Sequence, residues 1–181
     1  LPPIPVIEPP SILRRHFMDL YNKTAAWAAA QGLTLVGKDF DRPWGGFLVL
    51  DEGDAHRFAE LFFGSHDGLS GMQLEAGLSI SPKILMVKPG QRLSWQYHHR
   101  RREMWSVVEG PVSIARSATD AEMPPETFVA GDVITLACGE RHRLMGLEDW
   151  GVVAEFWIHV DPAHPSDEED IVRVQDDFAR K

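Results

Sequence analysis

Residues 90–110 read GQRLSWQYHHRRREMWSVVEG, and within them Gln96, His98 and Glu103 stand at a spacing that can build a metal site. Alternate residues of a strand share a face, so Gln96 and His98 project together. Four residues separate His98 from Glu103, enough for a turn that returns the chain antiparallel with Glu103 on the same interior. Gly110 ends the returning strand, where the next turn needs a permissive backbone. A second segment, GDVITLACGERHRLMG (residues 131–146), puts His142 three residues after Gly139. A strand, a glycine turn and a further strand can then carry His142 opposite the first three. Imidazole and carboxylate donors suit zinc first, and also manganese, cobalt or nickel. Iron ranks lower, because a non-haem iron oxygenase more usually carries histidine where Gln96 stands. Burying a carboxylate and two imidazoles without a cation is costly, which favours a ligand role for His98, Glu103 and His142. Gln96 reads either as a weak fourth ligand or as a hydrogen-bonding neighbour of the other three.

Other groups can serve a reaction at such a centre. Glu155 interrupts the apolar run GVVAEFWIHV (residues 151–160), so it points either into a barrel or onto a solvated face. The interior reading makes it a candidate general base. Lys83 opens KILMVK (residues 83–88), where its plain reading is half of a rim ion pair. Arginine forks match phosphate geometry, which nominates Arg100, Arg141 and Arg173 from among Arg100, Arg101, Arg102, Arg141, Arg143 and Arg173 as substrate-binding groups. Taken one at a time, each is also explained as a solvated or paired cation among many acids. Trp105 has the parity of Glu103 and is the tryptophan best placed to stack on a ligand. His99 points outward by alternation. His16, His56, His66, His159 and His164 have no spacing partner.

The elements that must position these groups can be read around them. After residue 33 come short apolar runs rich in β-branched and aromatic residues: LTLV, GFLVL, KILMVK, RLSWQY, MWSVV, VSIA, TFVA, DVITLA, HRLMG and GVVAEFWIHV. Many short strands predict an all-β sandwich or closed barrel, because closure removes exposed edges. The proline-rich start (residues 1–10) reads as an extended arm. Ser11 reads as the N-cap of a helix over 12–31 whose apolar side packs on the barrel, with Gly32 at C′. DAHRFAELFF (residues 54–63) reads as a short helix, and residues 64–77 as a glycine-rich loop. Ser166 and Glu169 have capping-box spacing and predict a helical turn, followed by an acidic tail. The arm and helix (1–40) and the barrel (41–181) together make a single domain, as 181 residues allow.

A net charge of −9 argues against a nucleic-acid partner and an anionic membrane surface. No apolar stretch reaches bilayer-spanning length. The start lacks the basic-then-apolar pattern of a signal peptide, and Cys138 has no second cysteine to pair with; both predict a soluble, cytoplasmic protein.

Both segments resemble the two motifs of the cupin superfamily. Gly90, Gln96, His98, Glu103 and Gly110 fit the first pattern, with glutamine in place of the first histidine. Gly131, Gly139 and His142 fit the second, with Ala137 in place of proline. The resemblance implies a cupin double-stranded β-helix, a jelly-roll barrel, carrying an N-terminal α-helix and a short helical insert. RPWG at residues 42–45, VKPGQRLSWQYHHRRREMW at 87–105 and EEDIVRVQDDFAR at 168–180 further resemble the C-terminal domain of type II mannose-6-phosphate isomerases. Phosphomannose isomerases are similar in placing a glutamine, two histidines and a glutamate around zinc. Arg100 and Met104 depart from that family's histidines, which bears on the substrate more than on the metal.

The resemblance implies a metal-dependent aldose–ketose isomerase acting on a sugar or sugar phosphate through an enediol, with Glu155 or Lys83 moving the proton. Two other classes stay open: a non-catalytic cupin that holds a metal and a sugar, and a metal-dependent oxygenase. A homodimer is compatible with any of the three.

Overall fold

A computed structural model of the chain describes residues 10–64 and 79–180, with side chains from residue 18 onward. The proline-rich arm, His66 and most of the glycine-rich loop lie outside the described residues, as do the side chains of Ser11 and His16.

Helix α1 (Pro10–Ala30) begins at Pro10, so Ser11 falls inside the first turn instead of capping it. Its end is as expected. Gly32 takes φ +83°, Gly32 N–H donates to Ala29 O, and Leu33 N–H donates to Ala28 O, the paired bonds of a Schellman stop. Helix α2 (Ala55–Phe63) buries Ala55, Phe58, Ala59 and Phe63 along one side.

Among the described residues, eleven strands form two antiparallel sheets. The first has the order β1 (Leu35–Arg42), β2 (Gly45–Leu50), β3 (Lys83–Val87), β10 (Gly151–His159), β5 (Arg101–Glu109), β8 (Val133–Leu136). The second has the order β11 (Val172–Gln175), β4 (Trp95–Tyr97), β9 (Arg141–Gly146), β6 (Val112–Ser117), β7 (Glu126–Phe128). This is the expected cupin barrel, its sheets face to face, with helices against the outside of the first.

That arrangement makes two cores. Outside the first sheet, Leu48, Ile84, Met86, Met104, Ala154, Phe156 and Ile158 pack beneath Tyr21, Phe58 and Phe63. Between the sheets, Leu85, Val87, Val107 and Val153 meet Val112, Ile114 and Leu144. Farther along the same inner faces the side chains become polar. Register makes the change explicit. One row across the first sheet reads Lys83, Glu155, Trp105, and the next reads Trp157, Glu103. The second sheet answers with Arg173, Gln96, His142. Directly paired residues share a face, so these rows look at one another across one end of the barrel.

Two sequence expectations are corrected. Residues 166–170 hold one hydrogen-bonded turn, Asp170 N–H to Asp167 O at 3.2 Å, but not the expected capping box: the Asp167 carboxylate accepts from Glu169 N–H and Asp170 N–H, while the Ser166 hydroxyl donates to Asp170. The acidic tail contains strand β11, which pairs with β4.

Candidate metal centre

His98 follows β4, Glu103 lies on β5 and His142 on β9, and all three are buried. The two motifs are tied together locally. Gly139, at φ +77°, turns the chain toward β9, and its N–H donates to His98 O at 2.8 Å. A side chain at that φ is strained, so glycine suits the turn that delivers His142.

One donor atom from each of His98, Glu103 and His142 lies within 4.8 Å of the others. His98 Nδ1 is 2.5 Å from Asp170 O, and His142 Nδ1 is 2.9 Å from Glu140 O. A carbonyl oxygen can only accept, so both rings carry hydrogen on Nδ1 and, when neutral, aim an Nε2 lone pair at Glu103. Nε2 of His98 stands 3.1 Å from Glu103 Oε1, and Nε2 of His142 stands 3.3 Å from Oε2. Glu103 Oε2 and His142 Nε2 are buried without a hydrogen bond. Leaving a buried polar atom unsatisfied costs about 1–3 kcal/mol. Acceptor atoms converging on one point fit a divalent cation, and carbonyls behind both rings are the outer partners such ligands use. Burial opposes ionisation of Glu103, but the adjacent imidazoles overcome it and hold the carboxyl well below its usual range. Burial likewise opposes charging His142, and the Glu103 carboxylate reverses that, raising the imidazole.

Gln96 and Glu103 line a cavity of about 110 Å³ at the polar end of the barrel. Gln96 Oε1 accepts from the Ser94 hydroxyl at 2.5 Å. The histidines are not on the cavity wall. Glu155 and Lys83 are. Glu155 therefore points inward, the first of its two sequence readings. Trp105 Nε1 donates to Glu155 Oε1 at 3.0 Å. Burial pushes the Glu155 carboxyl up, the nearby Glu103 charge adds to this, and Lys83, Arg101 and Trp105 oppose it, leaving a pKa of about 7. Lys83 Nζ pairs with the Glu168 carboxylate and lies 4.5 Å from the Trp157 ring centre.

The arginines sort differently from their sequence reading. Arg173 lines the cavity, but Arg100 and Arg141 do not. Arg100 donates to Pro165 O and Asp167, and Arg141 donates to Asp120 while stacking 3.9 Å above Tyr97. Trp105 is on the inner face but buried, edge-on to His142 at 5.4 Å; it positions Glu155 and offers no stacking surface in the cavity.

Sequence reasoning missed Arg101 as an individual. Its Nε donates to Glu103 Oε1 at 2.8 Å, its Nη1 to Ser166 and Asp167 O, and its guanidinium stacks 3.7 Å from Trp157. The parity of Arg101 with Glu103 was the available signal. Arg42, Glu168 and Arg180 also line the cavity and lie in the segments that carry the family resemblance; Trp157 lines it too and had no such signal.

Comparison with known proteins follows the same lines. The profile of the mannose-6-phosphate isomerase C-terminal family matches residues 70–176. The chain is 28% identical over 145 residues to mannose-1-phosphate guanylyltransferase of Escherichia coli K12, covering 80% of this chain and 24% of that protein. It is 32% identical over 125 residues to the xanthan biosynthesis protein XanB of Xanthomonas campestris pv. campestris, covering 69% of this chain and 24% of that protein. The crystal structure of CapF with the inhibitor 3-isopropenyl-tropolone matches at a TM-score of 0.50 and 15% identity, over 79% of this chain and 34% of that one, a likeness of fold. The chain thus spans about a quarter of the length of these curated relatives. Among the described residues, no helix is long and apolar enough to cross a membrane.

Proposed function

The chain belongs to the mannose-6-phosphate isomerase C-terminal family, and from that membership we propose that it isomerises an aldose and a ketose, as free sugar or sugar phosphate, with one divalent metal. The observation that carries this reading is Glu155, a buried carboxyl with a pKa of about 7 on the wall that also holds Glu103 and Gln96. A base poised near neutrality can both take and return a carbon-bound proton.

His98, Glu103, His142 and Gln96 would hold the ion, zinc ahead of manganese, cobalt or nickel. When bound, a divalent cation polarises a carbonyl and its neighbouring hydroxyl, which lowers the cost of removing the proton on the adjacent carbon. Glu155 takes that proton from C2 and delivers it to C1. Trp105 holds the receiving carboxyl in place. Lys83, anchored by Glu168, gives a proton to the carbonyl oxygen as it gains charge and recovers one from the neighbouring hydroxyl as that becomes the new carbonyl, so it ends as it began. Trp44 and Trp157 add apolar surface to the cavity wall. We place this chemistry in the cytoplasm, where Cys138 stays a thiol.

Elemental analysis of the purified protein, followed by incubation of the metal-loaded form with sugars and sugar phosphates in deuterated water, tests the reading. Metal-dependent deuterium at C1 or C2 is the expected result. A second reading, a metal- and sugar-holding module without turnover, is favoured by the match to only 24% of a relative named for guanylyl transfer. It expects bound metal and sugar with no deuterium incorporated.

A further inference from the structure

The two imidazoles of the cluster are held in different ways. His142 Nδ1 donates to Glu140 O, two residues back in its own turn. His98 Nδ1 donates to Asp170 O, 72 residues further along the chain. The orientation of His142 is therefore a local matter. That of His98 depends on where the C-terminal segment lies.

Asp170 does more than lend a carbonyl. Its Oδ1 accepts from His99 N–H at 3.0 Å, and its Oδ2 accepts from Arg100 N–H at 2.9 Å. One residue thus receives hydrogen bonds from residues 98, 99 and 100, the whole of the turn that joins β4 to β5. Asp170 is buried and is itself held in place. The Ser166 hydroxyl donates to its Oδ2 at 2.6 Å, and its own N–H donates to the carbonyl and the carboxylate of Asp167. Ser166 N–H donates to Nδ1 of the buried His159, which ties the segment to the end of β10. On the other side of the turn, Gly139 N–H donates to His98 O. With main chain and ring both gripped, His98 keeps its Nε2 3.1 Å from Glu103 Oε1.

This grip needs a carboxylate. Both of its oxygens accept and neither donates, so the two amides and the hydroxyl that reach it are all satisfied. An amide side chain has one oxygen and one NH₂, and the NH₂ would face at least one of those donors. Any shift that relieves the clash carries along the carbonyl behind His98, because side chain and carbonyl belong to one residue.

We infer that Asp170 is a positioning residue: its carboxylate clamps the turn that carries His98 and its carbonyl fixes the ring, so the C-terminal segment completes the donor set. The consequence for metal affinity rests on the metal reading of the site and not on the isomerase reaction.

NMR of the imidazole N–H groups in the chelator-treated full chain, with competitive titration of zinc, tests the assignment. In Asp170→Asn the His98 Nδ1–H resonance should shift or be lost to exchange with water, while that of His142 stays. Zinc should bind about 10–100-fold more weakly, the usual effect of losing a partner behind a ligand. A general loss of stability does not select one ring over the other. Ser166→Ala keeps the carboxylate but removes the hydroxyl behind it. It should change His98 alone, with a smaller loss of zinc affinity, and it carries the test if Asp170→Asn fails to fold. Asp161→Asn, exposed at the start of the same segment, should alter neither readout. A folded Asp170→Asn with parental zinc affinity, or with both imidazoles altered equally, overturns the assignment. The metal reading fails separately: a parent that takes up no zinc removes the affinity effect, and the two resonances still decide the positioning. Zinc uptake without deuterium exchange on any sugar removes the reaction and leaves Asp170 its role.

Discussion

Strand β10 has two faces, and both are fully buried. Outward, Val152, Ala154, Phe156 and Ile158 pack under the helices with no polar group among them. Inward, Val153 is followed by Glu155, Trp157 and His159. The same strand thus separates a layer that only has to exclude water from one that must keep polar groups partnered away from water. On the outer face, shape and area suffice. On the inner face each polar atom depends on another element: Glu155 on Trp105, Glu103 on Arg101 and the imidazoles, His98 on the carbonyl of Asp170. Depth of burial therefore does not mark function here. The polar groups that burial strands do.

Substitutions on the two faces should separate cleanly. The largest effect belongs outside. Phe156→Ala removes a ring packed edge-on to Phe63 at 4.7 Å and should cost about 3–5 kcal/mol of stability. Denaturant unfolding measures this, and metal content per folded molecule should not change. A loss of metal in the folded variant would break the separation.

Inside, Glu155→Gln keeps the volume and removes the base. Turnover should fall about 10²–10⁴-fold with metal content intact, and full activity would remove Glu155 from the mechanism. Its stability has a definite sign. A carboxyl raised to about 7 favours the protonated folded state, so the folded protein loses stability as pH climbs from the ordinary range near 4.5 through 7. In chelator-treated protein the variant's melting temperature should fall less over that interval than the parent's.

The smallest effect is on acidification, and it falls on the C-terminal segment. Burial opposes ionisation of Asp170, but the Ser166 hydroxyl and the His99 and Arg100 amides hold its pKa low. Arg180 lowers Asp176, and Arg92 lowers Asp177. Depressed carboxyls stabilise above their unfolded value, about 3.9, and that contribution is lost as pH falls below it. With two of the three pairs partly solvated, the loss should total about 1–2 kcal/mol. Amide exchange between pH 6 and 3.5 should show β11 losing protection while β10 keeps it. Simultaneous loss in both strands would show that the C-terminal segment is not held separately.

The candidate metal cluster was legible because each motif is local. Gln96, His98 and Glu103 sit within one hairpin, and a glycine turn sets His142, so spacing and alternation were enough. Alternation also offered the inward reading of Glu155 and could have singled out Arg101. Strand β11 was not legible, because a charged segment becomes a strand only when β4 offers it an edge. The capping box expected at 166–169 failed for a related reason: the Ser166 hydroxyl donates to Asp170, four residues on, and accepts from the distant Arg101, so it does not cap the turn.

By itself, then, the sequence determined the barrel, its helices and the candidate metal donors His98, Glu103 and His142 that the fold brings together, since all follow from periods and spacings within short stretches of chain. Only the tertiary structure decided which charges share the cavity. Arg42, Lys83, Glu155, Arg173 and Arg180 are scattered from one end of the described chain to the other, and Arg100 and Arg141 beside the motifs are turned away. Cross-strand register, which depends on the packing of whole sheets, chose among them.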